Sequence, residues 1–277
     1  MTPPNTDTAP ILILGASGKT GRRVAARLRQ QGIAIREARR PAFDWQQPET
    51  WPAMLHGARA AYIAFAPDLA APGAIDTMAD FARQAALAGL QHLVLLSGRG
   101  EPEAEACEQL VQRAGPAWTI LRASWFMQNF SEEFLRDAIR QGAVPLPLDG
   151  VREPFIDAED IAEVAVAALL DPARHASQLY ELTGPALLSF PGAVAAIGTM
   201  LQRDIAYIKV PMEEYFQAMA AQGIPADYAA LVRYLFTTVL DGRNENLADG
   251  VQRALGRPPR DFTAFGTAAA EAGAWKA

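Results

Sequence analysis

The chain has 277 residues, of which half are apolar and a fifth are charged, so it can bury a large core and is not intrinsically disordered. Its 25 basic and 31 acidic residues give a net charge of −6, which removes the attraction on which non-specific nucleic-acid binding depends. The single cysteine, Cys107, excludes an internal disulfide, and the sequence has no CxxC motif or Cys/His cluster. We therefore expect a reducing compartment, no nucleic-acid partner and no bound metal.

The first ten residues carry no basic stretch and no long apolar segment, so they do not read as a signal peptide. The longest apolar runs are strand-sized and fall short of the roughly 20 residues of a membrane span. We expect a flexible N-terminus over residues 1–8 and a cytoplasmic protein without a membrane-bound segment. Monomer and homodimer both remain open.

Short apolar runs alternate with longer amphipathic segments through the first two-thirds of the chain, which is the pattern of βαβ units. Strands are predicted at residues 11–14, 33–39, 60–65, 93–96, 118–121 and 178–182, with a weak strand near Phe43. Helices are predicted at residues 19–31, 48–55, 74–88, 103–114 and 160–170. The rest of the chain is predicted to hold a strand at 205–210 and helices at 213–222, 227–240 and 261–272.

This alternation predicts an α/β fold, a Rossmann-type parallel sheet with helices on both faces, over residues 9–185. That domain includes part of the substrate region, around residues 125–155. Residues 186–277 are predicted to form a smaller, mostly helical C-terminal substrate region. We expect it at the carboxyl edge of the sheet, where ligands of open α/β sheets bind.

A glycine-rich turn lies between the first strand and the first helix. It reads Gly15-Ala16-Ser17-Gly18-Lys19-Thr20-Gly21. Glycines at this place let the backbone turn tightly and approach a pyrophosphate, while the helix N-terminus offers N–H groups to the anion. Although Gly18-Lys19-Thr20 resembles the end of a P-loop, the required earlier glycine is replaced by Ile13. The turn therefore predicts dinucleotide binding through Gly15, Ser17, Gly18, Lys19, Thr20 and Gly21.

The second strand ends in Arg36-Glu37-Ala38-Arg39-Arg40, where an NAD-preferring enzyme carries an acidic residue. Arg39 and Arg40 are suited to a 2′-phosphate, with assistance from Lys19, so NADP(H) is the preferred cofactor. NAD(H) stays open, because Glu37 would face the ribose after a shift of one residue.

Further cofactor candidates follow the next strands. Asp44 is placed to reach the adenine amino group or, alternatively, to cap the following helix. Ala66 and Pro67 follow the strand at 60–65, and Ser97 and Gly98 follow the strand at 93–96.

Several later motifs carry a family resemblance. They are W-T-I-L-R-A-S-W-F-M-Q-N-F at 118–130, P-F-I-D-A-E-D-I-A at 154–162 and L-T-G-P at 182–185. With the glycine turn and Ser97-Gly98, they resemble the NmrA-like family of atypical short-chain dehydrogenases over nearly the whole chain. The festuclavine dehydrogenase branch of this family has motifs similar to three in this chain, namely Gly-Lys-Thr, Phe-Asp-Trp and Trp-Phe-Met-x-Asn-Phe.

The resemblance implies NAD(P)H-dependent reduction of quinones, alkenes or imines, or nucleotide sensing without turnover. Ser97 matches the serine position of ordinary short-chain dehydrogenases, which makes it a weak catalytic candidate. Their Tyr-x-x-x-Lys pair is missing, because residues 98–115 contain neither Tyr nor Lys. Acceptors that take hydride readily, such as an iminium or a quinone, would still react when positioned against the nicotinamide.

Aromatic residues after the strand at 118–121 suit a flat, apolar substrate. The pocket candidates are Trp125, Phe126, Asn129, Phe130 and, from the C-terminal region, Tyr215. Plain core packing is the alternative for Phe126 and Phe130. The expected function is a reductase of a small apolar or aromatic molecule, and the alternative is a non-catalytic NADP(H) sensor with a protein partner.

Overall fold

The computed structural model describes residues 9–276, so the flexible segment expected at residues 1–8 lies outside the described residues. The chain divides into two compact units. The sheet unit comprises the residues up to Ala123, Ala158–Leu182 and Asp249–Arg257. The helical unit comprises Ser124–Asp157, Thr183–Ala248 and the residues from Pro258 onward. The units are interleaved along the chain, whereas the expected domains meet at one boundary after residue 185.

The sheet unit contains six strands. These are β1 (Ile11–Leu14), β2 (Ile35–Ala38), β3 (Ala60–Ile63), β4 (His92–Gly98), β5 (Ala117–Ala123) and β8 (Gln178–Leu182). All pairings are parallel, in the order β2-β1-β3-β4-β5-β8. Every residue of β1 and β3 is buried, as expected for central strands covered on both faces. The Rossmann-type α/β fold is confirmed.

Helices cover both faces of this sheet. The helices are α1 (Lys19–Gln30), α2 (Trp51–Leu55), α3 (Ala74–Leu87), α4 (Pro102–Arg113), α6 (Ala158–Leu170), α7 (Pro172–His175) and α11 (Gly250–Leu255). Alternate residues of the strands pack with α2, α3 and α4 in one apolar cluster. On the other face α1 lies against α6, and Arg23 pairs with Glu159 at 2.6 Å. The carboxyl ends of β1, β3 and β4 therefore lie side by side at one edge.

The weak strand expected near Phe43 is wrong. The segment from residue 39 to residue 47 is turn and loop, and a 3₁₀ turn at Pro48–Thr50 follows it. Phe43 is buried among Trp45, Trp51 and Phe81, with ring centroids 4.9–6.3 Å from its own. Its side chain anchors the loop by aromatic packing, so the apolar residue reflects burial and not strand pairing.

The helical unit has its own core. Its helices are α5 (Phe134–Gln141), α8 (Phe190–Leu201), α9 (Met212–Ala221), α10 (Ala226–Tyr234) and α12 (Phe262–Glu271). Its short strands are β6 (Ala143–Leu146), β7 (Arg152–Glu153), β9 (Leu188–Ser189) and β10 (Ala206–Lys209). The expected strand at 205–210 is β10, which pairs in parallel with β6. The single helix expected at 227–240 is α10 followed by a π-helical turn, Leu235–Val239.

Across residues 9–276, no helix combines the length and the apolar character that a membrane crossing requires.

Candidate functional site

The turn between β1 and α1 is shaped by contacts that exclude side chains. Gly15 has a φ of +71°, and a Cβ on it would come within 2.9 Å of the Ala64 carbonyl oxygen. A Cβ on Gly21 would come within 2.1 Å of the Gly15 carbonyl oxygen. Gly15 thus lets the turn approach the end of β3, and Gly21 lets α1 approach the turn. The backbone geometry explains two of the three glycines directly.

The N-terminus of α1 opens from this turn. Gly18 is its N-cap residue, and within the described part of the chain no side chain caps it. Its first turn contains no acidic residue. Ser17 and Gly18 are exposed, whereas Thr20 is only 3% exposed. A helix end of this kind presents backbone N–H groups and a partial positive charge to an anion.

The arginines after β2 differ in what they contact. Arg39 and Arg29 both pair with Glu37, so this carboxylate is already neutralised by two guanidinium groups. Arg36 donates to the carbonyl oxygens of Met54 and His56, each at 2.7 Å. Arg40 is exposed, and no hydrogen bond or ion pair links it to the residues that the structure describes. Among the arginines at this strand end, Arg40 is therefore the one whose charge is not paired within the described residues.

The remaining candidates of the sheet unit follow β2 and β3. Asp44 accepts a hydrogen bond from the Gln46 N–H at 3.0 Å, and its backbone oxygen accepts one from the Trp51 indole at 2.8 Å. Asp44 thus forms a local turn in the loop ahead of α2. The strand expected before it, near Phe43, is turn and loop instead. Ala66 and Pro67 are exposed directly after β3.

Ser97 takes part in a buried polar network. It is 4% exposed, and its hydroxyl donates to Glu108 Oε1 at 2.6 Å. Arg122 donates to both oxygens of the same carboxylate, at 2.9 and 2.5 Å. Hydrogen bonding to Glu108 raises the pKa of Arg122, so the guanidinium stays charged. This network fastens α4 to β4 and β5 and occupies the Ser97 hydroxyl.

The helix after Ser97 carries no replacement for the missing Tyr-Lys pair. The sequence of α4 is P-E-A-E-A-C-E-Q-L-V-Q-R. Cys107 is buried, and burial, followed by Glu108, Asp68 and Glu103, raises the pKa of its thiol to about 11. A thiol of this kind is inert as a nucleophile at neutral pH.

Two acidic residues at this edge were not predicted from the sequence. Asp68 follows Pro67, and Glu101 closes the turn Ser97-Gly98-Arg99-Gly100-Glu101 before α4. A Cβ on Gly98 would come within 2.1 Å of Glu101 Oε1, so the carboxyl lies where a side chain of residue 98 would be. The available signal was an acidic residue shortly after each of two neighbouring strands.

The aromatic candidates belong to the helical unit and separate into two groups. Trp125 and Tyr215 both contact Phe236, with ring centroids 6.1 and 5.8 Å away, and Trp125 Nε1 is buried without a hydrogen-bond partner among the described residues. Phe130 is fully buried between Phe155, Phe190 and Phe262. Trp125 and Tyr215 share Phe236 as a neighbour, whereas Phe130 lies in the core.

Phe126 and Asn129 are half-buried. Phe126 forms an isolated β-bridge with Ile156, and Asn129 lies in the 3₁₀ turn Met127–Phe130. Burial, followed by the neighbouring Tyr228, raises the pKa of Tyr215 to about 12, so its hydroxyl stays protonated.

Residues 9–276 contain no group of three or more His, Cys, Asp or Glu side chains arranged to hold a metal ion.

An open cleft of about 500 Å³ lies elsewhere in the helical unit, at α9, α10 and the π-helical turn. Phe216, Tyr234 and Arg233 line it, and the Arg233 guanidinium lies 4.1 Å from the Phe216 ring centroid. The lining residues do not include the aromatic candidates described above.

The sequence is similar to curated proteins over almost its full length. It is 33% identical to the uncharacterized oxidoreductase YesF of Bacillus subtilis over 96% of both chains. It is 30% identical to an NAD(P)H azoreductase of Xenophilus azovorans, covering 95% of this chain and 98% of that one. Festuclavine synthase II of Penicillium roqueforti is also 30% identical, with coverage of 91% and 95%.

The fold is similar to those of solved structures at low sequence identity. Triphenylmethane reductase of Citrobacter, complexed with NADP(H), has a TM-score of 0.73 at 19% identity and covers 92% of this chain and 98% of that one. The negative transcriptional regulator NmrA in complex with NADP has a TM-score of 0.72 at 17% identity, with coverage of 94% and 95%.

The family model described as the NmrA-like family matches residues 105–255. Because this match spans more than half of the chain and YesF is similar along nearly all of it, the protein belongs to the NmrA-like family.

Proposed function

We propose that the protein is an NAD(P)H-dependent reductase that transfers hydride to an electrophilic small molecule, namely an iminium, a quinone or an activated alkene. The observation that carries this proposal is the β1–α1 turn, where contacts at Gly15 and Gly21 hold the backbone against β3 and leave the N-terminus of α1 without a side-chain cap. Backbone N–H groups presented in this way bind pyrophosphate oxygens.

The residues present fit a nicotinamide dinucleotide with a 2′-phosphate. The turn 15–21 would hold the pyrophosphate, and Arg40 would pair with the 2′-phosphate because its charge is not used elsewhere in the described chain. Glu37 does not repel that phosphate strongly, because Arg29 and Arg39 neutralise it. NADP(H) is therefore the preferred cofactor, and NAD(H) is the second choice. When bound, the reduced nicotinamide supplies the hydride.

The relatives support a reductase and differ in what they act on. The azoreductase is named for NAD(P)H, and triphenylmethane reductase was solved with NADP(H). The choice of a flat, apolar acceptor rests on Trp125 and Tyr215, which share contacts with Phe236, and on the unsatisfied Trp125 indole N–H. The half-buried Trp125 side chain offers an acceptor an aromatic face.

The residues of this chain contribute binding and orientation. Because Ser97 is bonded to Glu108 and α4 contains neither Tyr nor Lys, the usual acid of a carbonyl reductase is not assembled on α4. Acceptors that are already strong electrophiles suit such a site, since orientation alone supplies a large part of the rate acceleration.

The same observation favours a second candidate function. A protein whose Ser97 is occupied and whose α4 lacks the Tyr-Lys pair is suited to bind NADP(H) without chemistry and to report its presence to a protein partner. The fold it shares with a transcriptional regulator solved with NADP is compatible with this role.

Loss of nicotinamide absorbance distinguishes the two functions. Purified protein is mixed with NADPH and, in separate reactions, with a quinone, an enone, a neutral cyclic imine and its N-methyl iminium salt. A reductase oxidises NADPH with at least one acceptor, and the rate is proportional to protein concentration. Binding of NADPH without turnover across the panel would support the sensor instead.

A further inference from the structure

Two acidic side chains meet at the carboxyl edge of the sheet and have no part in cofactor binding as proposed. Asp68 follows β3 and Glu101 follows β4, and these two strands are hydrogen-bonded neighbours. The two carboxyl groups interact closely enough for each to shift the pKa of the other. Both residues belong to the sheet unit, at the same edge as the turn 15–21.

Glu101 is enclosed by its own turn. It is 8% exposed, and its carboxyl lies against Gly98, where a Cβ would come within 2.1 Å of Oε1 and 2.5 Å of Oε2. Oε2 is buried and receives no hydrogen bond from an N–H or O–H group of the described residues. The group that faces Glu101 is the carboxyl of Asp68, which has no proton to donate when ionised. A contact of this kind requires one shared proton, because two buried carboxylates repel each other.

The surroundings decide which residue holds that proton. Burial raises the pKa of Asp68 as well, but Asp68 accepts a hydrogen bond from the backbone N–H of Ala70 at 2.8 Å, and this bond favours the Asp68 anion. Burial, followed by the charge of Asp68, raises the pKa of Glu101 to about 9. The shared proton is therefore assigned to Glu101, whose pKa lies above neutral pH.

The neighbouring charges reinforce this assignment. Glu103, in the first turn of α4, adds a second negative charge that raises the pKa of Glu101. Cys107, one turn further along α4, is a neutral thiol. The basic side chains close in sequence and register are engaged with other acids: Arg99 pairs with Glu181 at 3.4 Å, and Arg122 with Glu108 at 2.5 Å.

We propose that Glu101 is the proton donor of the reduction, with Asp68 as the residue that positions it. This inference rests on the proposed reductase function. A neutral imine or enone gains a C–H bond from the hydride and its electron pair, whereas a quinone gains an O–H bond; in each case the heteroatom left with negative charge then needs a proton. Glu101 breaks its O–H bond, gives that proton to the heteroatom and is left as a carboxylate, which regains a proton from water. An iminium ion becomes a neutral amine on receiving hydride, so it does not need Glu101.

The experiment compares Glu101→Gln with the unaltered protein on two acceptors that differ by one charge, a neutral cyclic imine and its N-methyl iminium salt, with the quinone and the enone as further neutral acceptors. We expect kcat on neutral acceptors to fall by about 100-fold, within the range that general acid catalysis contributes. On the iminium we expect less than a threefold change. NADPH affinity, measured by calorimetry, stays within threefold.

The pH profile gives an independent readout. With a neutral acceptor, kcat of the unaltered protein is expected to fall as pH rises through about 9, because Glu101 loses its proton. Asp68→Asn removes the neighbouring negative charge, so this limb moves to lower pH. Glu105→Gln is the matched control, because it removes an exposed carboxylate from the same helix without touching the pair, and its profile is expected to stay unchanged.

Infrared spectroscopy examines the pair without turnover. At pH 7 the unaltered protein is expected to show the carbonyl band of a protonated carboxylic acid, and Glu101→Gln to lack it. Equal losses on imine and iminium, an unmoved pH limb in Asp68→Asn, or no protonated band would each overturn the proton-donor role while leaving the reductase in place. Absence of turnover by the unaltered protein with every acceptor would overturn the reductase and the inference together.

Discussion

Two strand-to-helix turns of the sheet unit, Gly15 to Gly21 after β1 and Ser97 to Glu101 after β4, offer ligands different chemistry. The first is built from backbone, since Gly15 and Gly21 admit no Cβ and the helix that follows has no side-chain cap. The second is built from side chains, since Ser97 is bonded to Glu108 and Glu101 folds back over Gly98. On the proposed function, the first turn would bind an anion and the second would transfer a proton.

Gly21→Ala should have the largest effect at the first turn. Its Cβ would lie 2.1 Å from the Gly15 carbonyl oxygen. That oxygen belongs to the backbone, so it cannot move aside as a flexible side chain would. We expect unfolding free energy to fall by about 3 kcal/mol, at the upper end for overpacking, and NADPH binding to be lost. Chemical denaturation and calorimetry measure these two losses. Gly18→Ala is the matched variant: its Cβ would lie 3.2 Å from the same oxygen, so a clearly smaller loss of stability is expected. Equal stability losses would contradict the packing argument.

Ser97→Ala tests whether the second turn uses its serine structurally. It leaves the buried Glu108 carboxylate with one donor fewer, so we expect a loss of about 2 kcal/mol in unfolding free energy. Because this hydroxyl is already bonded to Glu108, kcat should change less than threefold. A loss of 100-fold in kcat with unchanged stability would instead make Ser97 the catalytic residue.

Arg40→Ala sharpens the cofactor assignment. Loss of a charge-assisted contact to the 2′-phosphate should weaken NADPH binding about tenfold and leave NADH binding unchanged. Arg36→Ala is the control, because Arg36 is bonded to the carbonyl oxygens of Met54 and His56. If NADPH and NADH affinities of Arg40→Ala both equal those of the unaltered protein, the 2′-phosphate argument is wrong.

The pH dependence of stability is a further difference between the second turn and the first. The pKa of Glu101 is raised from 4.5 to about 9 in the folded chain, so its stabilising contribution is complete below pH 4.5 and is lost as pH rises toward 9. The amide of Glu101→Gln does not titrate, so the thermal midpoint of this variant should rise relative to that of the unaltered protein as pH increases between these values. Each kcal/mol of difference corresponds to about 2–4 °C. A difference between the two proteins that stays constant across this range would contradict a raised pKa.

The parts of the fold that were predictable are those whose sequence pattern has one structural meaning. The fully apolar run Ile11–Leu14 before Gly15 indicates a central strand, and β1 is one. The strand predicted near Phe43 was wrong because an isolated aromatic residue among turn residues is compatible with a buried loop as well as with a paired strand. The short strand β6 was missed because its sequence is only Ala-Val-Pro-Leu and its partner β10 lies more than sixty residues later.

The site divides in the same way. The glycine turn could be predicted because Gly15 and Gly21, where a side chain would not fit, lie in one short segment of the sequence. Glu101 and Asp68 are separated by 32 intervening residues and meet only because β3 and β4 pair. The burial that raises the pKa of Glu101 depends on the three-dimensional path of the turn around Gly98, and the sequence pattern carries no signal for it.

The central claim is that the turn 15–21 binds a nicotinamide dinucleotide, and titration calorimetry with NADPH and NADH tests it most directly. The account predicts one site per chain for NADPH, with affinity at least tenfold above that for NADH. Absence of binding by both nucleotides to correctly folded protein would contradict it.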